Sequence, residues 1–445
     1  MIARALFAAA LLSAGRAAAQ ASPAPPAPAA PQPAAEPRVL GLDEALRIGL
    51  ARQPQLRQAQ ATTEAARARV DQAFAPLLPQ VSGDATFDRT SDSGGAAFVP
   101  GVGVVGTSAT RDRYAASLNA RLLVWDFGQT SGRWRAAQAL AEGQGQTERA
   151  TRADVALGIR TTYFDAVAAK ALVAVARDTL ANTERHLEQV RAFVEVGTRP
   201  PIDLAQERTN VANARVQLIQ GENTYATARV RLEQAIGATD LGPWEIEDAS
   251  LPAVAGEEGG TEPLLQEAIA SRPELAALSQ QLRGQQLTER SLRGGYWPSV
   301  GVSGGVSESG TAIDETSGVW NASVTLSWPL FEGGATRAQV REAKANATAI
   351  DAQLEQLRQA VRLEVEQARL GVRAARATLG AAEEAAQAAR EQLALAEGRY
   401  QTGVGSILEL SDAQVGLTTA LGQRVQAEFQ LAAARSQLLR ALGRN

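Results

Sequence analysis

The sequence predicts a mainly α-helical fold with a small β part. Long antiparallel coiled-coil helices form an α-barrel, continued by a transmembrane β-barrel shared among subunits, four strands from each chain. Three observations predict it: the chain repeats itself once internally, each repeat contains an unbroken helical run of some 68 residues, with coiled-coil spacing in the second, and each contains two strand-like segments of about ten residues with apolar/polar alternation.

Composition sets the outer bounds. The 445 residues carry 44 Lys+Arg and 48 Asp+Glu, a net charge of −4, which argues against a nucleic-acid partner. There is no Cys and one His, His186, so thiol chemistry is excluded and a structural zinc site lacks its ligands. Aromatics make up 4% of the chain while Ala is abundant, as expected for long helices with shallow, close-packed seams.

In chain order, residues 1–20 form a secretory signal peptide: Arg4, an apolar run Ala5 to Leu12, and a small-residue cleavage site at Ala17-Ala18-Ala19. Residues 21–38 read as an extended Pro/Ala-rich linker. No Cys follows the signal to carry a lipid, and no apolar run reaches about eighteen residues, so neither a lipid anchor nor a transmembrane helix is expected.

The first repeat spans 39–237, a linker 238–262, and the second repeat 263–443. Ala51-Arg52-Gln53-Pro54-Gln55-Leu56 matches Ala270-Ser271-Arg272-Pro273-Glu274-Leu275, and Pro79 matches Pro298, at an offset of 219. Trp125-Asp126-Phe127-Gly128 matches Phe331-Glu332-Gly333-Gly334 at 206, which then holds to Ala235-Ile236-Gly237 and Ala441-Leu442-Gly443. The first repeat therefore has 13 extra residues (219 − 206) between Pro79 and Trp125.

Each repeat opens with a helix, about 43–75 and 263–293. Strands follow at about 79–91 and 113–125, and at 298–308 and 317–328. Val81, Gly83, Ala85 and Phe87 alternate with Ser82, Asp84 and Thr86; Trp320, Ala322, Val324 and Leu326 alternate with Asn321, Ser323 and Thr325. Trp125, Trp297, Trp320 and Trp328 sit at strand ends, as an aromatic girdle at a lipid interface requires. An ordinary sheet over a core is the alternative. It is disfavoured because the polar face carries Asp84, Asn119 and Arg121, and no separate set of large apolar residues exists to cover the other face. Open edges are not tolerated in lipid, so the barrel must close between chains, with eight, twelve or sixteen strands from two, three or four copies.

The long helices run over about 129–196 and 335–402, each on the order of 100 Å. The seam Leu354, Leu357, Val361, Val365, Ala368, Val372, Ala375, Leu379 has spacings of 3 and 4 in almost strict alternation. Helices at about 204–236 and 407–442 return from tip turns 197–203 and 403–406, where Gly ends a helix and Pro cannot continue one. The helices 204–236 and 43–75, stacked end to end, match one long helix. Residues 238–262, rich in Gly, Pro and acids, form an irregular collar midway along.

The doubled set of Leu78-Pro79 and Trp297-Pro298, Pro329-Leu330-Phe331-Glu332-Gly333-Gly334, and the tips Glu195-Val196-Gly197-Thr198-Arg199 and Arg399-Tyr400-Gln401-Thr402-Gly403 resembles the outer membrane efflux protein family, the TolC-like exit ducts, over about 39–443. The resemblance implies a homotrimer, a twelve-stranded barrel among outer-membrane lipids, and a periplasmic α-barrel. It also implies docking to a periplasmic adaptor and an inner-membrane pump of RND, ABC or MFS type through tip residues Gly197, Thr198, Arg199, Gly403, Val404, Gly405 and Ser406. It places acidic residues of a closed periplasmic entrance at Glu409 and Asp412, and at Asp203 in the first repeat, where Gln206 replaces the second acid. The chain stops at Asn445, short of the C-terminal collar segment of some members, and the lack of Cys departs from the lipidated branch.

Other motifs have plainer readings. Gly101-Val102-Gly103-Val104-Val105-Gly106 fits a dinucleotide fingerprint but lies between strands with no helix after it, so it reads as a surface loop. His186, flanked by Glu184, Arg185 and Glu188, reads as a solvated helix face, and Glu383-Glu384 as coiled-coil surface. Glu409 and Asp412, three apart, share a helix face and would ring a trimer axis with six carboxylates; surface charge is the plainer alternative. Arg199 either pairs with a neighbouring acid or meets the adaptor.

No catalytic residues, cofactor or metal are expected. The reading is an outer-membrane duct of a tripartite export system, for efflux of small toxic compounds or type I secretion of an unfolded protein. A passive porin and a trimeric coiled-coil stalk are the rivals.

Overall fold

The computed structural model describes residues 38–93, 97–101, 103–105, 108–238 and 244–444. The expected signal peptide lies outside them, as do linker residues 21–37 and, within the Gly-rich loop, Val102 and Gly106.

The first repeat runs β1 (Arg38–Leu40), α1 (Leu42–Arg52), α2 (Pro54–Phe74), β2 (Gln80–Ser93), β3 (Ala97–Val99), β4 (Gly103–Val105), β5 (Ser108–Trp125), α3 (Gln129–Glu195) and α4 (Pro201–Ile236). After β6 (Trp244–Ile246), the second runs α5 (Thr261–Ser271), α6 (Pro273–Arg293), β7 (Ser299–Ala312), β8 (Glu315–Ser327), α7 (Ala335–Gln401) and α8 (Ile407–Ala441).

Three expectations need correction. The opening helix of each repeat is two helices, broken before Pro54 and Pro273. A residue preceding proline is pushed out of the α region, and Gln53 (ψ 122°) and Arg272 (ψ 121°) are extended. The 238–262 linker is not wholly irregular, since β6 pairs in parallel with β1. Trp320 is not at a strand end: it lies within β8 opposite Val306 and is 77% exposed.

The main sheet is antiparallel in the order β2-β5-β7-β8, so among the described residues both outer strands have an unpaired edge. Residues directly opposite each other share a face. The register lines up Gly83–Leu118–Val306–Trp320 and Leu122–Val302–Val324 on one face, and Ser82–Asn119–Gly305–Asn321 and Gln80–Arg121–Ser303–Ser323 on the other. The apolar face is bare: Val81, Phe87, Leu118, Val306, Val324 and Leu326 are all exposed. At the helical end of the sheet the Phe127 ring stacks on Trp297 (centroids 5.4 Å apart) and meets Trp125 edge-on (5.9 Å), and Trp328 follows β8.

The helices make a wall four across. Near the sheet α3 lies between α2 and α6, with α7 beyond α6; further out α3 lies between α4 and α8, with α7 beyond α8. Gly237, at φ +63°, ends α4 against the backbone of Arg52 and Gln53, where a Cβ would meet Gln53 Cα at 3.1 Å. Gly443 repeats this joint against Ser271. The shorter helices thus stack end to end and match one long helix. All eight seam residues from Leu354 to Leu379 are buried or half-buried. A core midway along joins Leu40, Ile159, Tyr163, Leu232, Ile236, Trp244 and Ile246. Among the described residues no helix is long and apolar enough to cross a membrane.

Candidate functional site

The end of the wall farthest from the sheet holds the two tip turns. The first is sealed by Gly197 at φ +75°, whose N–H donates to Val194 O (3.0 Å), while the Thr198 N–H donates to Phe193 O (2.9 Å). Pro201 then starts α4 at the position where a missing N–H costs nothing. The second turn has Gly403 at φ +85°, with the Val404 and Gly405 N–H groups donating to Arg399 O, and Ser406 Oγ capping α8 by accepting from the Glu409 N–H (3.1 Å). Gly197, Thr198, Gly403, Val404 and Ser406 are exposed, while Gly405 is buried against Arg399 and Tyr400.

Side chains tie one hairpin to the other. The Arg199 guanidinium lies 4.2 Å from the centre of the Tyr400 ring and donates to Gly405 O (3.3 Å) and Tyr400 O. Arg199 therefore binds within its own chain rather than standing free. Tyr400, 3% exposed, donates its hydroxyl to Asp203 Oδ2 at 3.0 Å. Burial first, then the hydrogen bond and the charge of Asp203, push the Tyr400 phenol well above its ordinary range.

Asp203 differs from Glu409 and Asp412. It is 5% exposed, and its carboxylate accepts from the Tyr400 hydroxyl. The reason lies in α4, where Asp203, Glu207, Val211 and Ala214 form the buried stripe. Glu409 and Asp412 lie off the corresponding stripe of α8 and are exposed, with Glu409 Oε1 2.9 Å from Arg399 Nε.

A second layer lies about one to two turns deeper. Asn210 Nδ2 donates to Glu207 Oε2 (2.7 Å) and to Ser411 Oγ of α8 (2.9 Å). His186 of α3, 9% exposed, lies 3.1 Å from Glu397 of α7, which corrects the solvated reading. Glu207 is 0% exposed. Burial pushes its carboxyl upward, only partly offset by Asn210, His186 and Gln414. Apolar packing from Val190, Leu393, Leu410 and Ala413 surrounds both layers.

Sequence reasoning missed Tyr400, Glu207, Asn210 and Ser411 as members of this tie. A signal existed for His186, because Thr183, His186, Val190 and Phe193 follow one another at spacings of 3, 4 and 3, a seam pattern.

Residues 46–238 and 264–444, most of both repeats, match the family model described as outer membrane efflux protein. The protein CyaE of Bordetella pertussis is 28% identical over 408 residues, covering 91% of this chain and 84% of that protein. The outer membrane protein TolC of Escherichia coli is 26% identical over 417 residues, covering 88% and 79%. Among solved structures, the outer-membrane channel OprN superposes with a TM-score of 0.77 at 22% identity, covering 91% of this chain and 90% of that one. CusC does so with 0.79 at 20% identity, covering 95% and 99%.

Proposed function

The chain belongs to the outer membrane efflux protein family and is an outer-membrane exit duct of a tripartite efflux or secretion system; from that premise we propose that it works as a homotrimer whose helical tips dock on a periplasmic adaptor and receive cargo from an inner-membrane pump. The observation that carries this reading is the four-stranded sheet with one bare apolar face, one polar face and two open edges. Lipid covers the apolar face, and the neighbouring chains' edge strands complete the ladder. Three chains supply twelve strands and a helical wall three times four across.

The polar face, with Asp84, Asn119 and Arg121, lines a water-filled conduit. Trp125, Trp297 and Trp328 mark the lower lipid interface, and Trp320 meets lipid along the barrel wall. Exposed Gly197, Thr198, Gly403, Val404 and Ser406 form the docking surface, while Arg199 and Gly405 hold its shape. Glu409 and Asp412 ring the entrance; Asp203 acts behind them by holding Tyr400. The pump, of RND, ABC or MFS type, supplies energy and most of the selectivity, for small toxic compounds or an unfolded protein. Native mass spectrometry of the assembly extracted from outer membranes tests the stoichiometry. Three copies are expected, and two or four would overturn the trimer.

A further inference from the structure

The two repeats build the same β-hairpin. Gln80 pairs with Arg121, and Ser299 pairs with Ser327. The offsets of 219 for the first strand and 206 for the second carry one pair onto the other, so residues of β2 and β5 have counterparts in β7 and β8. Within the chain β5 joins β7, with Arg121 opposite Ser303, Leu118 opposite Val306 and Tyr114 opposite Gly310. The counterparts of β5 and β7 are β8 and β2, the two strands whose outer edges have no partner among the described residues.

The same joint, built between two copies, fixes which residues meet. Ser327, Val324 and Trp320 are the counterparts of Arg121, Leu118 and Tyr114; Asp84, Phe87 and Ser91 are those of Ser303, Val306 and Gly310. The faces agree, since Ser327 and Asp84 lie on the polar face and Val324 and Phe87 on the apolar one. The irregularity repeats as well. β5 is bulged between Leu123 and Trp125, and the counterpart of Leu123 is Pro329, a residue that strands accommodate at an edge or a bulge. Beyond it Leu330 and Phe331, the counterparts of Val124 and Trp125, are 80% and 89% exposed. Within the chain Trp125 lies opposite Val300 and meets Phe127, whose ring stacks on Trp297. The counterparts of Val300 and Trp297 are Val81 and Leu78, both exposed at the opposite edge of the sheet.

We propose that β8 of one chain pairs with β2 of a second copy in this register, with Ser327 opposite Asp84, Val324 opposite Phe87 and Trp320 opposite Ser91, and that Leu330 and Phe331 close over Val81 and Leu78 of that copy. The proposal rests on the duct reading for closure into a barrel. It adds the alignment, which alternation leaves open, because a slip of two residues keeps every side chain on its face. Within the chain Gln80 faces Arg121, which faces Ser303, the counterpart of Asp84, so a row climbs four residues (84 − 80) in two strands. Kept constant round twelve strands, that climb sets a cylinder roughly 30 Å across between opposite backbones, and a slip of two at each joint changes the width by about a sixth.

The chain has no cysteine, so paired substitutions read the alignment directly. Ser323→Cys with Asp88→Cys on the polar face and Val324→Cys with Phe87→Cys on the apolar face test the same register, and one of them is a closely spaced pair. In a single chain β5 and β7 separate β8 from β2, beyond the span of a disulfide, so any bond formed joins two chains. Oxidised in outer membranes, one or both pairs should give covalent trimers. Their yield should be about tenfold or more above that of the slipped pairs, in which Ser323→Cys is combined with Thr86→Cys or Thr90→Cys and Val324→Cys with Ala85→Cys or Arg89→Cys, because a slip moves the thiols about 7 Å apart along the strand. Phe331→Ala and Leu78→Ala should each lower the temperature at which trimers separate, and together by less than the sum. Additive losses would overturn the closing contact. A slipped pair that crosslinks in preference, or a trimer in which neither expected pair crosslinks, would overturn the register while the duct reading stands. A chain that native mass spectrometry finds only as a monomer would overturn both.

Discussion

Replacing Tyr400 by Phe removes one oxygen from the tip and little else. The ring keeps its place between Phe193 (6.3 Å) and the Arg199 guanidinium, so packing and the cation–π contact persist. What is lost is the 3.0 Å bond to Asp203, a carboxylate that is only 5% exposed. A hydrogen bond to a charged acceptor is worth about 1.5–3 kcal/mol. Asp203 lies in the first turn of α4, where the helix N-terminus favours its charge and returns part of the loss. A net cost of about 1–2 kcal/mol to the link between hairpins remains, or about 5- to 30-fold in the equilibrium between packed and separated tips. Single-channel recording should show open probability rising by that factor, with the number of chains per assembly unchanged. Tyr400→Phe combined with Asp203→Asn should add little beyond the first substitution, because both delete the same bond. A Tyr400→Phe channel within about twofold of the parent would refute the claim that this bond holds the tips.

Two further outcomes follow from other parts of the chain. Val324 and Thr325 are neighbours on opposite faces of β8, so Val324→Arg should cost about 2–4 kcal/mol in the membrane and reduce outer-membrane levels, while Thr325→Arg should be tolerated and change ion selectivity; quantitative blots and reversal potentials check this. Burial, then the charges of Glu247, Asp248 and Asp43, push the Tyr163 phenol up to about 12 from 10.0, so its contribution is complete below about pH 10 and is lost as pH rises towards 12; circular dichroism between those values should show alkaline loosening that Tyr163→Phe reduces.

The long helices and the sheet were legible because each leaves a period in the sequence. Strict alternation in 81–87 and 320–326 marks two-faced strands, and 3-4 spacing from Leu354 onward marks a seam. Turn positions were legible through glycine, and the structure pairs them: Gly128 with Gly334, Gly197 with Gly403, Gly237 with Gly443, all at positive φ. Phe127, at φ +51°, stands where the second repeat has Gly333, and its stacking on Trp297 offsets that backbone cost. The breaks at Pro54 and Pro273 carry a weaker signal, because proline is also accommodated in the first turn of a helix and so leaves the apolar period unbroken around it. The tip tie was not legible. Periodicity states that a residue lies on a stripe, not which stripe of another helix it meets. Asp203 and Glu409 are equivalent by repeat, yet one is buried under Tyr400 and the other exposed, because only the second repeat carries a tyrosine at that position.

The central claim is that the tips of this chain hand over to a periplasmic partner. The chain has no cysteine, so Ser406→Cys creates its only thiol, at an exposed helix cap. Crosslinking in living cells followed by mass spectrometry should recover a periplasmic adaptor on Cys-bearing assemblies. Adducts with neighbouring copies of the chain alone, in cells that carry out export, would contradict it.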